Sequence, residues 1–219
     1  MVVREKFELE LNGVHEQFLL LSNLSISTLN KSIDALLNQD VDIALSIIEN
    51  DIHINRLEEE INDRVILLLA KQQPVATDLR RLIVLIKAAH DMERVGDYAV
   101  NIAKEAIRIG KAEFVPTIKN IEEMRTITIG MLTDVMTAFI DENIEEARKI
   151  AELDDKVDNL YGQTIQQLLL VGSENPKLLS QVTQLSFVCR YLERSADHAT
   201  NIAEQLFYLV KGRHAELNK

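Results

Sequence analysis

Glu93 and Asp97 stand four residues apart, Asn101 follows four further on, and Glu193, Asp197 and Asn201 repeat the spacing a hundred positions later. On an α-helix, side chains four apart share one face, so each segment aims two carboxylates and a carboxamide in one direction. Upstream of each motif lies another polar pair at the same spacing, Asp51 with Asn55 and Asp154 with Asp158. Carboxylates crowded into one groove repel each other unless a cation intervenes. These donors are all oxygen, with no cysteine and no repeated histidine among them, which suits Mg²⁺, Ca²⁺, Mn²⁺ or ferric iron and suits zinc poorly. Asp51, Asn55, Glu93, Asp97, Asp154, Asp158, Glu193 and Asp197 are therefore the candidate metal ligands.

A single carboxylate pair of this kind is more often a solvated face, or a partner for nearby bases such as Arg94, Lys87 or Arg64. Duplication weighs against that reading. Residues 91–104 (DMERVGDYAVNIAK) and 191–204 (YLERSADHATNIAE) agree at seven of fourteen positions, where unrelated stretches would share roughly one. Packing does not require Glu, Asp and Asn to recur in register. The histidines lack this support: His90 corresponds to Arg190 and His198 to Tyr98, so both read as local features. A di-iron oxidase would need Glu-x-x-His on two helices, and that spacing is missing. Without a Gly-rich phosphate loop, a Gly-x-Ser-x-Gly or a Ser-x-x-Lys, no residue is nominated as catalytic, and a non-enzyme is expected.

The elements that must position these acids follow from composition and periodicity. In 219 residues, 47% are hydrophobic and only seven are glycine and three proline, too few turn formers for an all-β fold. Cys189 lies in an apolar run and reads as a buried thiol. The longest apolar run, Val65 to Ala70, is far short of the roughly twenty residues a membrane helix needs, and the charged start MVVREKFELEL does not read as a secretory signal. A net charge of -11 repels nucleic-acid phosphates, so nucleic acid is not an expected partner.

Helical periodicity runs almost throughout. Val14, Phe18, Leu21, Ser25, Thr28 and Leu29 form one stripe. Asp40 or Asp42 caps a second helix running toward Lys71, and Pro74 opens a third that continues through Glu93 to about Ile109, where Gly110 stops it. The second half repeats this plan, with Pro116 and Pro176 near helix starts. Residues 37–44 (LNQDVDIA) and 140–147 (IDENIEEA) match in pattern at an offset of 103 rather than 100, a change in length placed in a helix connection, where it is best tolerated. The expected fold is all-α: six long helices in two tandem three-helix units, residues 1–112 and 113–219. On the third helix the acids flank a stripe of small and apolar residues that includes Gly96, Ala99 and Ala103, at the rim of a groove beside the neighbouring helix.

Ala76-Thr77-Asp78-Leu79-Arg80, followed by Glu93-Arg94-x-x-Asp97-x-x-x-Asn101-Ile102-Ala103 and then by Glu193-Arg194-x-x-Asp197-x-x-x-Asn201-Ile202-Ala203, resembles the PhoU family of phosphate-regulatory proteins over essentially the whole chain. The resemblance implies two similar three-helix bundles with surface sites for a multinuclear metal cluster, iron first, with Mn, Mg or Ca as alternatives. It also implies a cytoplasmic negative regulator of the phosphate regulon that modulates the high-affinity phosphate ABC transporter. The implied partners are the transporter ATPase and the membrane sensor histidine kinase; a homodimer is the expected assembly. Carried over by position, ligands fall on Glu93 and Asp97, on Glu193 and Asp197, on Asp51 with Asn55, and on Asp154 with Asp158. Asn55 departs from the acidic pattern, so the first cluster is expected to be smaller or weaker than the second. Asp78-Leu79-Arg80 has no second-half equivalent. Two readings of another class use the same acids: a carboxylate-bridged metalloenzyme, hydrolase or oxidase, and a helical assembly protein whose acids only make salt bridges.

Overall fold

Stretches of apolar residues at helical spacing bury one face of each helix against the others. The computed structural model describes residues 2–217, and its helices are α1 (Val2–Asn38), α2 (Val41–Asn50), α3 (Ile52–Gln72), α4 (Ala76–Ile109), α5 (Ile118–Ile140), α6 (Ile144–Glu174) and α7 (Leu179–Lys211), with a 3₁₀ turn at Pro176–Leu178. Helices α2 and α3 stand where one helix was expected. The break is slight: Asp51 keeps helical dihedrals (φ -56, ψ -33), but its carbonyl accepts from both Ile54 and Asn55, so the regular ladder lapses for one residue. Counted as one interrupted helix, the pair restores the expected set of six.

Each half carries the same piece of local chemistry where its second helix begins. Asp40 accepts the Ile43 N–H, capping α2, and Asn143 accepts from Glu145 and Glu146, capping α6. Before each cap a residue adopts positive φ, Gln39 at 53 and Glu142 at 49, and the cap N–H reaches back to Ala35 or Ala138. The two segments matched in the sequence thus build the same turn twice. Helix α4 ends at Gly110, whose φ of 61 and ψ of -149 lie in a region open to glycine and closed to most other residues.

Polar pairs show how the helices run. Gln17 donates to Glu60, setting α1 against α3, and Asn120 donates to Thr164 and Gln167, setting α5 against α6. Arg125 joins Asn30 and Asp34 of α1, tying the second half to the first. Along the centre α4 runs antiparallel to α7: His198 meets Asp91 while Tyr98 stacks on Tyr191. One apolar core, including Phe18, Leu85, Met92, Leu132, Leu192 and Leu206, runs through both halves. Among the described residues no helix is long and apolar enough to cross a membrane. Cys189 is buried, and burial pushes its thiol up to about 12, so it is inert.

Candidate metal centre

In the second half, α6 presents Asp158 to Glu193 and Asp197 of α7. Oxygens of the three carboxylates lie within 4.8 Å of one another, and among the described residues this is the one such group of metal-ligating side chains. The four-residue spacing along α7 puts Glu193 and Asp197 on the same side, and the packing of α6 on α7 brings Asp158 close to both. Glu193 is buried, Asp197 half-buried and Asp158 exposed. Arginines of α7 hold the acids in place: Arg190 bonds Glu193 at 2.5 Å and Arg194 bonds Asp197 at 3.0 Å. Even so, Glu193 Oε2 is buried without a hydrogen-bond partner.

The electrostatics record the crowding. Burial raises the Glu193 carboxyl above its ordinary range, Asp197 and Asp158 raise it further, and Arg190 and Arg194 oppose. Asp158 is raised in the same way, first by burial and then by Asp197 and Asp155. A bound cation would reverse this by favouring the ionised forms. The Glu193 oxygen that accepts no hydrogen bond, with only Arg194 Nε at 3.9 Å, and the all-oxygen donor set fit a hard cation, which Asp158, Glu193 and Asp197 would hold. Asp154 goes elsewhere. It is buried one turn before Asp158 and lines a separate cleft together with Asp197, outside the close group of three.

The first half is looser. Asn55 Nδ2 donates to Asp51 Oδ2 at 3.2 Å, and Arg94 pairs with Asp97. Burial and then Asp97 raise Asp51; burial, Asp97 and Glu58 raise Glu93. Charge therefore links Asp51, Glu93 and Asp97 without bringing three carboxylates as close as in the second half. Asp51 Oδ1 and Asn55 Oδ1 are buried without hydrogen-bond partners. Gly96 lets α3 come this near: a Cβ there would lie 2.9 Å from Ile54 Cδ1.

Two neighbours, Glu58 and Asp91, are not singled out by the sequence, and a third, His198, which its sequence counterpart marks as a local feature, instead reaches across the halves. Glu58, held by Asn62 at 2.6 Å, adds to the charge on Glu93, and its place one turn after Asn55 and two after Asp51 is readable from spacing. Asp91 and His198 form a 2.7 Å contact between the halves. Their sequence counterparts, Tyr191 and Tyr98, meet as a stacked pair, so the same crossing is built once from charge and once from rings.

Two segments of the chain, residues 18–106 and 121–206, match the model of the PhoU domain. The chain belongs to the PhoU family. It is 36% identical over 218 residues to the phosphate-specific transport system accessory protein PhoU homolog of Clostridium acetobutylicum, covering 99% of this chain and 100% of that one. The crystal structure of PhoU from Pseudomonas aeruginosa matches with a TM-score of 0.91 at 32% identity, covering 94% of this chain and 100% of that one. The phosphate transport system regulatory protein PhoU from Streptococcus pneumoniae matches with a TM-score of 0.90 at 30% identity, covering 95% and 99%. At this likeness the family's all-α fold is this chain's fold.

Proposed function

We propose that this PhoU-family protein is a non-enzymatic, metal-binding regulatory adaptor of phosphate homeostasis. In this reading it restrains the phosphate regulon and modulates the high-affinity phosphate ABC transporter from the cytoplasm. Its partners are the transporter ATPase and the sensor histidine kinase, and it acts as a homodimer. The observation that carries the reading is the close triad of Asp158, Glu193 and Asp197, in a chain whose relatives are named for phosphate-specific transport and its regulation. The resident group is a metal cluster, iron first, with Mn, Mg or Ca as alternatives, at Asp158, Glu193 and Asp197 and, more weakly, at Asp51, Asn55, Glu93 and Asp97. Bound there, the metal supplies positive charge where carboxylates crowd. Because the triad spans α6 and α7, holding one cation in common fastens the two helices beside their seam with α4, where a partner could read the change.

The test is complementation. In a host lacking the gene, the wild-type chain restores repression of a phosphate-starvation reporter in high phosphate, and a Glu193→Gln/Asp197→Asn chain of equal abundance does not. Equal repression by both chains would refute a role for the metal site; an unchanged reporter on deletion would refute the regulatory reading as a whole.

A further inference from the structure

Between α4, α6 and α7 lies a cleft of about 470 Å³ whose lining includes Arg94, Asp154, Arg194, Asp197, His198 and Thr200. It adjoins the metal centre through Asp197, which belongs to both. Resting on the metal-site reading above, we propose that this cleft binds a protonated tetrahedral oxyanion, hydrogen phosphate, as an outer ligand of the cation held by Asp158, Glu193 and Asp197.

Coordination supports this first. With one oxygen from each of Asp158, Glu193 and Asp197, a hard cation that takes six or more oxygens keeps open positions, and these must face either solvent or the cleft. Donors come second. A guanidinium offers five N–H groups in a planar fork suited to phosphate. Arg94 uses Nη1 on Asp97, and Arg194 uses Nη1 on Asp197 with Nε 3.9 Å from Glu193, so both keep further donors for a ligand. Third, Thr200 is 5% exposed and its Oγ1, buried in the cleft lining, has no hydrogen-bond partner. A buried hydroxyl is seldom left without one, and an oxyanion would supply it.

The acids in the lining make the site selective. His198 is occupied by Asp91 and Glu204 accepts the Leu217 N–H, so the charge of the metal-free cleft is set by Asp154, Asp197 and Glu204 against Arg94 and Arg194, with His90 also in the lining, within a protein of net charge -11. Such a cleft does not attract an anion until a cation offsets Asp197 and frees Arg194. Asp154 and Asp197 can accept a hydrogen bond from the proton that hydrogen phosphate carries and sulfate lacks. Binding is therefore expected to need metal and to prefer phosphate over sulfate.

Titration calorimetry of the full chain with inorganic phosphate and with sulfate, each with and without Mn²⁺, tests this, alongside direct measurement of Mn²⁺ binding. The expected result is phosphate binding only with Mn²⁺, stronger than sulfate, and weakened about tenfold or more by Arg94→Gln and separately by Thr200→Val. The two variants do not share a fate in folding, since Arg94 is half-buried with its side chain 40% exposed and Thr200→Val nearly preserves shape. Mn²⁺ binding without phosphate binding, phosphate binding indifferent to both variants, or equal binding of sulfate overturns the inference and leaves the metal site standing. Failure to bind Mn²⁺ overturns both.

Discussion

Replacing Asp158 by asparagine is expected to stabilise the metal-free protein and to remove most of its stabilisation by metal. Asp158 lies within 4.8 Å of Glu193 and Asp197. At that distance a like-charge pair costs about 0.9 kcal/mol in bulk water and about 3.5 kcal/mol at an effective dielectric of about 20. Because Asp158 is exposed, the lower figure applies to its repulsion by each of these two acids, and salt together with the lost attraction to Arg190 trims their sum to about 1 kcal/mol. For a chain of this size that is a rise of about 2–4 °C in Tm. Asparagine nearly preserves shape, and no ion pair of Asp158 is broken. The pH dependence follows from the raised Asp158 carboxyl: its folded form is favoured by protonation, so the repulsion is fully present above its folded pKa and fades as pH falls toward the unfolded value. The advantage of Asp158→Asn should accordingly be largest near neutrality and vanish in mild acid. With metal at about a hundred times Kd, the wild-type chain gains about 2.7 kcal/mol, about 5–10 °C. A variant binding about a hundredfold more weakly gains only about 0.4 kcal/mol. Thermal unfolding followed by circular dichroism, with chelator and then with Mn²⁺, reads both effects. A metal-free variant less stable than wild type, or equal metal shifts in the two chains, would refute the reasoning.

Burial, and then Arg81, lowers the pKa of His15 below its ordinary 6.5, with Glu142 opposing; the unfolded chain therefore takes up the proton more readily. Stability should be full above about pH 6.5 and fall as pH drops through the window below it, and His15→Gln should flatten that fall in denaturant titrations. Gly130→Ala, with nothing near its Cβ, is expected to gain up to about 1 kcal/mol of helix propensity. Gly96→Ala should show no such gain, because its Cβ would press on Ile54 and overpacking costs about 1–3 kcal/mol; a stabilised Gly96→Ala would show that α3 is free to shift. A double-mutant cycle on Asp91→Asn and His198→Ala should give a coupling of about 0.5–3 kcal/mol, and additive singles would show that this pair does not hold the halves together.

Local chemistry in this chain was readable from sequence and the roll of one helix against another was not. Asp40 capping a helix and Gly110 ending one are decided within a few residues, and both stand where the sequence put them. The lapse at Asp51 left no mark because the apolar spacing continues through it. Spacing along α6 placed Asp154 and Asp158 on one face, yet the packing of α6 on α7 sends Asp158 to the triad and Asp154 to the cleft. Nothing in either half alone indicates that Asp91 meets His198, since that contact joins residues 107 apart. By contrast Arg190 and Arg194, each three residues from the acid it holds, could have been named as stand-in counter-charges from helical spacing alone.

The central claim is that the duplicated carboxylates hold metal. Elemental analysis of untagged protein purified from its host without chelator tests it most directly, comparing wild type with Glu193→Ala/Asp197→Ala. The account predicts bound metal in the wild type and a clear loss of it in a folded variant; metal-free wild-type protein, or the same metal content in both, would contradict it.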